Sequence, residues 1–577
     1  MLKNLKTPIL LLFLMMTMPS MAQENKGPQW LNNAIFYQIY PSSFMDSDGN
    51  GIGDLPGITS KLDYLQSLGV NAIWLNPVFE SGWFDGGYDV IDYYKVDPRF
   101  GTNTDLVNLV KEAHKRGIKV CLDLVAGHTS VKCPWFQQSA QKDANGRYSD
   151  YYIWTDSISP QEQQLIAERH QSADPASDGR GHYVESNAPR AKYYLKNYYE
   201  CQPALNYGYA HPDPKHAWEQ SVDAPGPQAV RREMRNVMAF WFNKGIDGFR
   251  VDMAASLVKN DKDGTEIKKL WKEMREWKDK NYPECVFISE WGHPELAIPA
   301  GFNIDFMLHF NVPGYPSLFF DKGTLYGERH KFSHCYFNKS GEGQISEFID
   351  NFTQNYDRIR TMGYIALPTA NHDFARPNVG TRNTLEQLKV AMTFFLTMPG
   401  IPFIYYGDEI GMKYIESAPN KEGSKKRAGT RTPMQWTSGP TAGFSSCAPS
   451  QLYLPIDTEN GRITVASEAK DHNSMLNYVR SLLRLRHTSE ALNNDGGWEL
   501  VSKVSQPYPM IYKRTDGKDV YIIALNPSEN KVKATIASQG GKAVVASMSG
   551  KAKYKLSAQS DFVEMDKFSA AVFHIIR

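Results

Sequence analysis

Along most of the chain, short unbroken apolar runs alternate with longer segments in which apolar residues recur at spacings of three and four. The first pattern suits a strand buried on both faces, and the second suits an amphipathic helix. Apolar runs fall at 35–40, 72–76, 119–125, 248–252, 286–290, 304–309, 365–369 and 402–406. Helical spacing follows them, for example at 105–116, 228–243 and 385–398. This repeated strand-helix order predicts a parallel sheet that closes on itself inside a ring of helices. The expected fold class is α/β, a TIM (β/α)8 barrel.

The repeat is broken twice. More than a hundred residues separate the third and fourth runs, and 129–210 is rich in Tyr, Pro, Gly, Asp and Ser without a clear helical period. This segment leaves the C-terminal end of a barrel strand, where the fold builds its active sites, so it is expected to be a small inserted domain walling the site. After a helical segment at 474–487 the pattern turns to alternation at 510–514, 520–525, 531–536, 543–547 and 570–576. Asp516-Gly517 and Gly540-Gly541 serve there as turn signals. The tail is therefore expected to be an all-β sandwich. The domain plan is 1–22 as an export signal, 30–128 and 211–489 as the barrel, 129–210 as its insertion and 490–577 as the C-terminal β-sandwich.

Charge and composition narrow the partners. The 577 residues carry 64 Lys+Arg against 63 Asp+Glu, a net +1. That balance supplies no field to attract nucleic acid or an anionic membrane, so a neutral polar substrate is the better expectation. Lys3 and Lys6, an apolar stretch at 9–18 and the small-residue site Ser20-Met21-Ala22 read as a cleavable export signal. An apolar stretch this short would span about 15 Å of a ~30 Å hydrocarbon core, too little for an anchor. The mature protein is expected outside the cytoplasm, periplasmic or secreted, with no membrane contact after cleavage. The six cysteines show no metal spacing. Cys121 reads as a small core residue, while Cys133 and Cys201 flank the insertion and could pair in an oxidising compartment.

The chemistry gathers at predicted strand ends. Asp123-Leu-Val-Ala-Gly-His128, Gly248-Phe-Arg-Val-Asp252, Phe287-Ile-Ser-Glu290 and Asn371-His-Asp373 close the third, fourth, fifth and seventh runs. Arg250 and Asp252 stand two apart on a strand and face the barrel interior together, while Phe249 and Val251 face the helices. A guanidinium beside Asp252 is expected to lower its pKa and keep it ionised as a nucleophile. Glu290 sits among Val286, Phe287, Ile288 and Trp291, an apolar setting that favours its protonated form, as a general acid requires. One ionised and one protonated carboxyl on neighbouring strands form the pair needed for retaining glycoside hydrolysis, with Asp373 as a third acid.

Together and in this order the motifs resemble the α-amylase family, glycoside hydrolase family 13, from about Ala34 to His487. The resemblance implies Asp252 as nucleophile, Glu290 as acid/base and Asp373 as transition-state stabiliser. It also implies that His128, Arg250 and His372 bind sugar at the cleavage subsite. Tyr88 and Asp89, in Gly86-Gly-Tyr-Asp-Val-Ile-Asp-Tyr93, look like the family's stacking tyrosine and its aspartate for the non-reducing sugar. Gly400-Ile-Pro-Phe-Ile-Tyr-Tyr-Gly-Asp-Glu409, Arg431-Thr-Pro-Met-Gln-Trp436 and Ala442-Gly-Phe-Ser445 resemble the α-glucosidase, oligo-1,6-glucosidase and trehalose-synthase branch. There the arginine matching Arg431 approaches the aspartate matching Asp89, a pair expected to hold one terminal glucose and close the site. Met253, after the nucleophile, is neither the Val of α-1,6 cleavers nor the Ala or Thr of α-1,4 cleavers.

Two features bear on metals. Gly127 replaces the family's usual Asn, and Gln202-Pro-Ala-Leu-Asn206 replaces its usual Gln-Pro-Asp-Leu-Asn, so the calcium site of the inserted domain is not expected. In contrast, Asp46-Ser-Asp-Gly-Asn-Gly-Ile-Gly-Asp54 offers oxygen ligands from Asp46, Asp48, Asn50 and Asp54, with the Ile52 carbonyl between them. An EF-hand would need Glu where Gly57 stands, and this loop follows a strand. It is read as a structural Ca²⁺ site and resembles the loop after the first barrel strand in oligo-1,6-glucosidase-like members. The expected activity is an exported retaining α-glucosidase acting on short α-linked gluco-oligosaccharides. The alternatives are an endo-acting α-amylase or neopullulanase, a trehalose-synthase-type transglycosylase and a non-catalytic partner subunit.

Overall fold

The computed structural model describes residues 26–143, 145–169, 181–308, 314–324, 330–458 and 463–576. The expected export signal lies outside the described residues, as does His309 at the end of the sixth predicted strand. Eight parallel strands close into a barrel: Phe36–Ile39, Ala72–Leu75, Lys119–Leu124, Gly248–Val251, Val286–Ser289, Ile304–Phe306, Tyr364–Pro368 and Ile401–Tyr405. Each pairs with its neighbours in chain order. Phe36 closes the ring, lying opposite both Ala72 and Phe403. These are the eight apolar runs of the sequence, and nearly every residue in them is buried. A strand covered by helices outside and by side chains inside has no polar face to show.

The helices start where the sequence supplies caps. Thr102 and Asp105 form a capping box before Asn103–Lys115, as do Thr384 and Gln387 before Leu385–Thr397. Pro225 occupies the first turn of Pro225–Phe242, where its missing N–H costs nothing. Among the described residues no helix is long and apolar enough to cross a membrane.

Among its described residues the insertion at 129–210 contains two α-helices, Pro134–Ser139 and Pro160–Arg169, and a three-stranded sheet of Trp154–Thr155, Tyr193–Leu195 and Tyr183–Glu185, and the helix Pro225–Phe242 then leads into the fourth strand. The insertion's last stretch returns to the barrel mouth, where Ala204 bridges His128 and Leu205 bridges Tyr152. Cys133 and Cys201 are both buried free thiols, so the pairing considered from the sequence is not formed.

Beyond the helix Met475–His487 the chain turns to strands. Gly497–Leu500, Met510–Thr515, Val520–Asn526, Ser569–Ile576 and Lys542–Ser549 form one sheet, and Val532–Ala537, Ser560–Met565 and Ala552–Lys555 form a second. Along Val520–Asn526 every residue is buried, for two different reasons. Val520, Ile522 and Ala524 pack between the sheets with Ile536, Val563 and Phe573, whereas Tyr521, Ile523 and Leu525 join the core of the barrel domain. The five-stranded sheet thus uses both faces. Arg514, on the sheet, secures it by donating to the carbonyls of Thr397, Asn493 and Gly496, while Arg486 of the last barrel-domain helix donates to those of Leu396, Met398 and Gly400 beside it.

Candidate active site

The site lies at the C-terminal ends of the barrel strands and is organised by Arg250. Its Nη1 donates to Asp123 Oδ1 and to Asp252 Oδ1, both at 2.9 Å. Its Nη2 meets Glu290 Oε1 at 2.7 Å. The guanidinium is 2% exposed and lies 5.1 Å from the Trp74 ring centre. Arg250 is thus brought between the two acids read from the sequence, and one guanidinium contacts both. Glu290 also accepts the Met253 N–H at 2.9 Å. Two carboxyls sharing one guanidinium stand close together, as the pair of a retaining mechanism does.

The protonation of the pair departs from the expectation in one respect. Burial raises Asp252 to about 6, and Arg250 only partly offsets this, so the guanidinium does not leave it below the ordinary carboxylate range. Burial raises Glu290 further, to about 8; Arg250 pulls against it, and the charge of Asp252 adds to the rise. Near pH 7 the pair therefore holds an ionised Asp252 and a protonated Glu290.

Asp373 has the opposite environment. Burial would raise it, but the His372 ring and the guanidiniums of Arg427, Arg431 and Arg250 outweigh burial and hold it far below the ordinary range. Its Oδ1 accepts from Arg427 Nη1 at 3.0 Å and from Arg431 Nη2 at 3.2 Å, and its Oδ2 lies 3.2 Å from His372 Nε2. Gln38 Nε2 lies 3.1 Å from His372 Nδ1, and Tyr88 stacks on the same imidazole at 5.2 Å. The Tyr88 hydroxyl donates to Asp123 Oδ2 at 2.8 Å.

Three sequence expectations change. Arg431 does not pair with Asp89. Arg431 donates to the His372 carbonyl and to Asp373. Asp89 is fully buried, its carboxylate occupied by the N–H groups of Phe84 and Asp85 and the hydroxyls of Ser81 and Ser130. The cause is the turn at Gly86 and Gly87, both at positive φ, which folds Asp89 back as a cap for its own loop and leaves Asp85 facing the site. The ion pair found there joins Asp85 Oδ1 to Arg427 Nη2 at 2.8 Å, with Gln202 Nε2 donating to Asp85 Oδ2 at 2.9 Å.

His128 is the third. Both ring nitrogens are engaged by protein, Nε2 with the Tyr88 carbonyl and Nδ1 with the Asn197 amide, each at 2.8 Å. Burial holds its pKa down to about 4, so the ring is neutral. Asp85, Asp123, Asn197 and Arg427 were missed as site residues. Asp123 lies in the third apolar run, and its register opposite Arg250 is the signal that marks it. No local signal marks the others.

The loop after the first strand gathers Asp46, Asp48 and Asp54 so that one carboxylate oxygen from each lies within 4.8 Å of the others. Asp46 and Asp54 are buried, and among the described residues no cation pairs with any of the three. Loop N–H groups and the Ser445 hydroxyl close on Asp46, and Asp54 caps the helix Leu55–Ser60.

Comparison with known proteins agrees with this geometry. The model of the α-amylase catalytic domain matches residues 38–495. The chain belongs to the α-amylase family of glycoside hydrolases. It is 32% identical over 502 residues to the trehalose synthase/amylase TreS of Mycobacterium tuberculosis, covering 80% of this chain and 76% of that one. It is 30% identical over 570 residues to the oligo-1,6-glucosidase of Heyndrickxia coagulans, covering 87% and 93%. The crystal structure of isomaltulose synthase from Klebsiella sp. LX3 superposes with a TM-score of 0.76 at 25% identity, covering 95% of this chain and all of that one.

The two carboxyl pKa values predict the pH dependence. As pH falls through about 6, Asp252 takes up a proton and loses the charge that a nucleophile needs; as pH rises through about 8, Glu290 loses the proton that a general acid needs. The kcat/KM of this family member on an unactivated glycoside should be bell-shaped, with the two limbs belonging to the coupled pair. A rate that is flat from about pH 5 to 9 would contradict this protonation order.

Proposed function

We propose that the enzyme is an exo-acting, retaining α-glucosidase that removes single glucose units from short α-linked gluco-oligosaccharides. The observation that carries the reading is one guanidinium bridging a lower-pKa Asp252 and a higher-pKa Glu290. In the first step Asp252 attacks the anomeric carbon while Glu290 protonates the departing oxygen. The Asp252 ester is then released by water, from which Glu290 takes a proton. Asp373, held ionised among His372, Arg427 and Arg431, favours the positive charge that develops on the sugar ring.

Exo action rests on the Asp85–Arg427 pair. Arg427 reaches Asp373 with one nitrogen and Asp85 with the other, while Tyr199 and Gln202 of the inserted segment close on the same two residues. A buried charge-assisted pair can grip the hydroxyls of one terminal glucose and leaves no path for a second. A trehalose-synthase-type transglycosylase is the second reading, favoured by the similarity to the mycobacterial trehalose synthase/amylase. It uses the same acids and differs in whether water or the retained glucose receives the glucosyl group. The basic and apolar N-terminal pattern supports export before either activity.

For the loop after the first strand we propose bound Ca²⁺, held by Asp46, Asp48, Asn50 and Asp54 with the Ile52 carbonyl. Three clustered carboxylates without a protein counter-charge suit a hard cation with oxygen ligands. Its part would be structural.

Asp252→Asn should lower kcat about 10⁴-fold or more with the fold retained, and activity within tenfold of the parent would remove Asp252 from the nucleophile's place. Glu290→Gln should be comparably damaging on maltose and milder on aryl glucosides, whose leaving groups need little protonation. Maltoheptaose should yield glucose and maltohexaose first, and Arg427→Ala should raise KM and lower kcat together. Early maltotriose or maltotetraose would reject exo action, whereas trehalose formed from maltose would select the transglycosylase. Chelation should lower the melting temperature, since a ligand bound only by the folded state contributes about 2.7 kcal/mol at a hundredfold excess over its Kd. Asp48→Ala should abolish that dependence; identical melting with chelator and with added calcium, and no calcium by elemental analysis, would refute the metal.

A further inference from the structure

One loop of the inserted segment touches both ends of the site. Lys196 pairs with Pro203, so the intervening residues form a narrow return at the barrel mouth. Gln202 and Tyr199 reach the Asp85–Arg427 pair. Asn197, in the same loop, reaches the other side, where its Nδ2 lies 2.8 Å from His128 Nδ1 and 3.8 Å from the Met253 sulfur.

Met253 occupies a demanding position. It follows Asp252, takes φ 43° without being glycine and gives its N–H to Glu290 Oε2. Whatever fixes Met253 therefore acts on the strained link between the two acids and on the wall beside Glu290. The space around Asn197 is also closed. A Cβ on Gly127 would stand 2.8 Å from Asn197 Nδ2 and 3.2 Å from Leu257 Cδ2. A side chain at 127 and the amide of Asn197 cannot both hold their places, and here the inserted segment supplies the occupant.

We propose that Asn197 is a positioning residue that sets which glucosidic linkage is cleaved. Its amide donates to His128 Nδ1, and His128 Nε2–H in turn donates to the Tyr88 carbonyl, so the ring is locked neutral and in one orientation. The same amide restrains the Met253 side chain. The leaving sugar lies against this wall, because Glu290 must reach its bridging oxygen. An α-1,6 leaving group carries an extra methylene between ring and bridging oxygen that an α-1,4 group lacks, so the shape of the wall discriminates between them. This inference rests on Asp252 and Glu290 acting as nucleophile and acid.

The test compares consumption of maltose and isomaltose by wild type, Asn197→Ala, Gly127→Ala and the double variant, with folding checked by melting. Asn197→Ala should change the ratio of kcat/KM for the two disaccharides by about fivefold or more. Gly127→Ala should push the amide aside and produce a change of the same sign, but should have less than about a twofold effect when Asn197 is already alanine. The second variant approaches the same amide from the barrel, so the proposal stands or falls on it if Asn197→Ala does not fold. An unchanged linkage ratio in folded variants, or an equal effect of Gly127→Ala in both backgrounds, would overturn the role of Asn197 while leaving the catalytic assignments in place. A wild type that consumes neither disaccharide would overturn those assignments and this inference together.

Discussion

The site depends on one buried cation facing three carboxyls. Arg250 cannot be taken from water into the barrel uncompensated, since an unpaired buried charge costs several kcal/mol. Asp123, Asp252 and Glu290 compensate it, and Trp74 adds a ring face. Three carboxylates around one guanidinium, however, would leave two uncompensated negative charges in a poorly solvated space. The arrangement is stable only if a carboxyl keeps its proton. Asp123 shares the guanidinium and also accepts from Tyr88 and Trp74, which favours its charged form. Glu290 has fewer such donors and feels Asp252, so the proton stays there. Burial raises both Glu290 and Asp252 and is the larger influence on each; the uneven share of neighbouring charges and donors then sets the two carboxyls apart.

On the other side of the site the charges balance. Asp85 and Asp373 face Arg427 and Arg431, and the neutral His372 hydrogen-bonds rather than competes. Asp373 is therefore held ionised where Glu290 is held protonated, although both are largely shielded from solvent. A single site can keep two carboxyls in opposite states because their guanidinium partners are distributed unevenly.

What was legible in the sequence follows from how local each signal is. The barrel strands could be read because burial on both faces leaves an unbroken apolar run. Arg250 and Asp252 could be placed on one face because a strand's side chains alternate. In the tail, Ala552–Lys555 and Ser560–Met565 escaped notice because one side of their sheet meets solvent and carries Lys553, Lys555 and an exposed Phe562 among polar residues. The exchange of Asp89 for Asp85 was hidden by a turn. Both acids belong to one short segment, and only the positive φ of Gly86 and Gly87 decides which is folded inward. Asn197 and Arg427 were invisible for a different reason: their partners lie in other loops, and no spacing along the chain encodes a contact between two loops.

Contacts between distant loops also hold the backbone around Arg427. Arg427 sits in a stretch where Glu422 and Lys425 both take positive φ, a conformation that costs non-glycine residues about 1 to 3 kcal/mol each and persists only when neighbours enforce it. Enforcement comes through Glu422, which accepts from the Tyr453 hydroxyl at 2.7 Å and pairs with Arg99 at 2.8 Å. Arg99 in turn lies 3.4 Å over Trp83, next to the turn that presents Asp85. Tyr453 also donates its N–H to the Gly51 carbonyl in the acidic loop after the first strand. The loop carrying Arg427, the turn carrying Asp85 and the acidic loop are therefore one connected body. Hydrogen bonds and ring contacts thus run without a break from the acidic loop to the loop whose guanidinium holds Asp373.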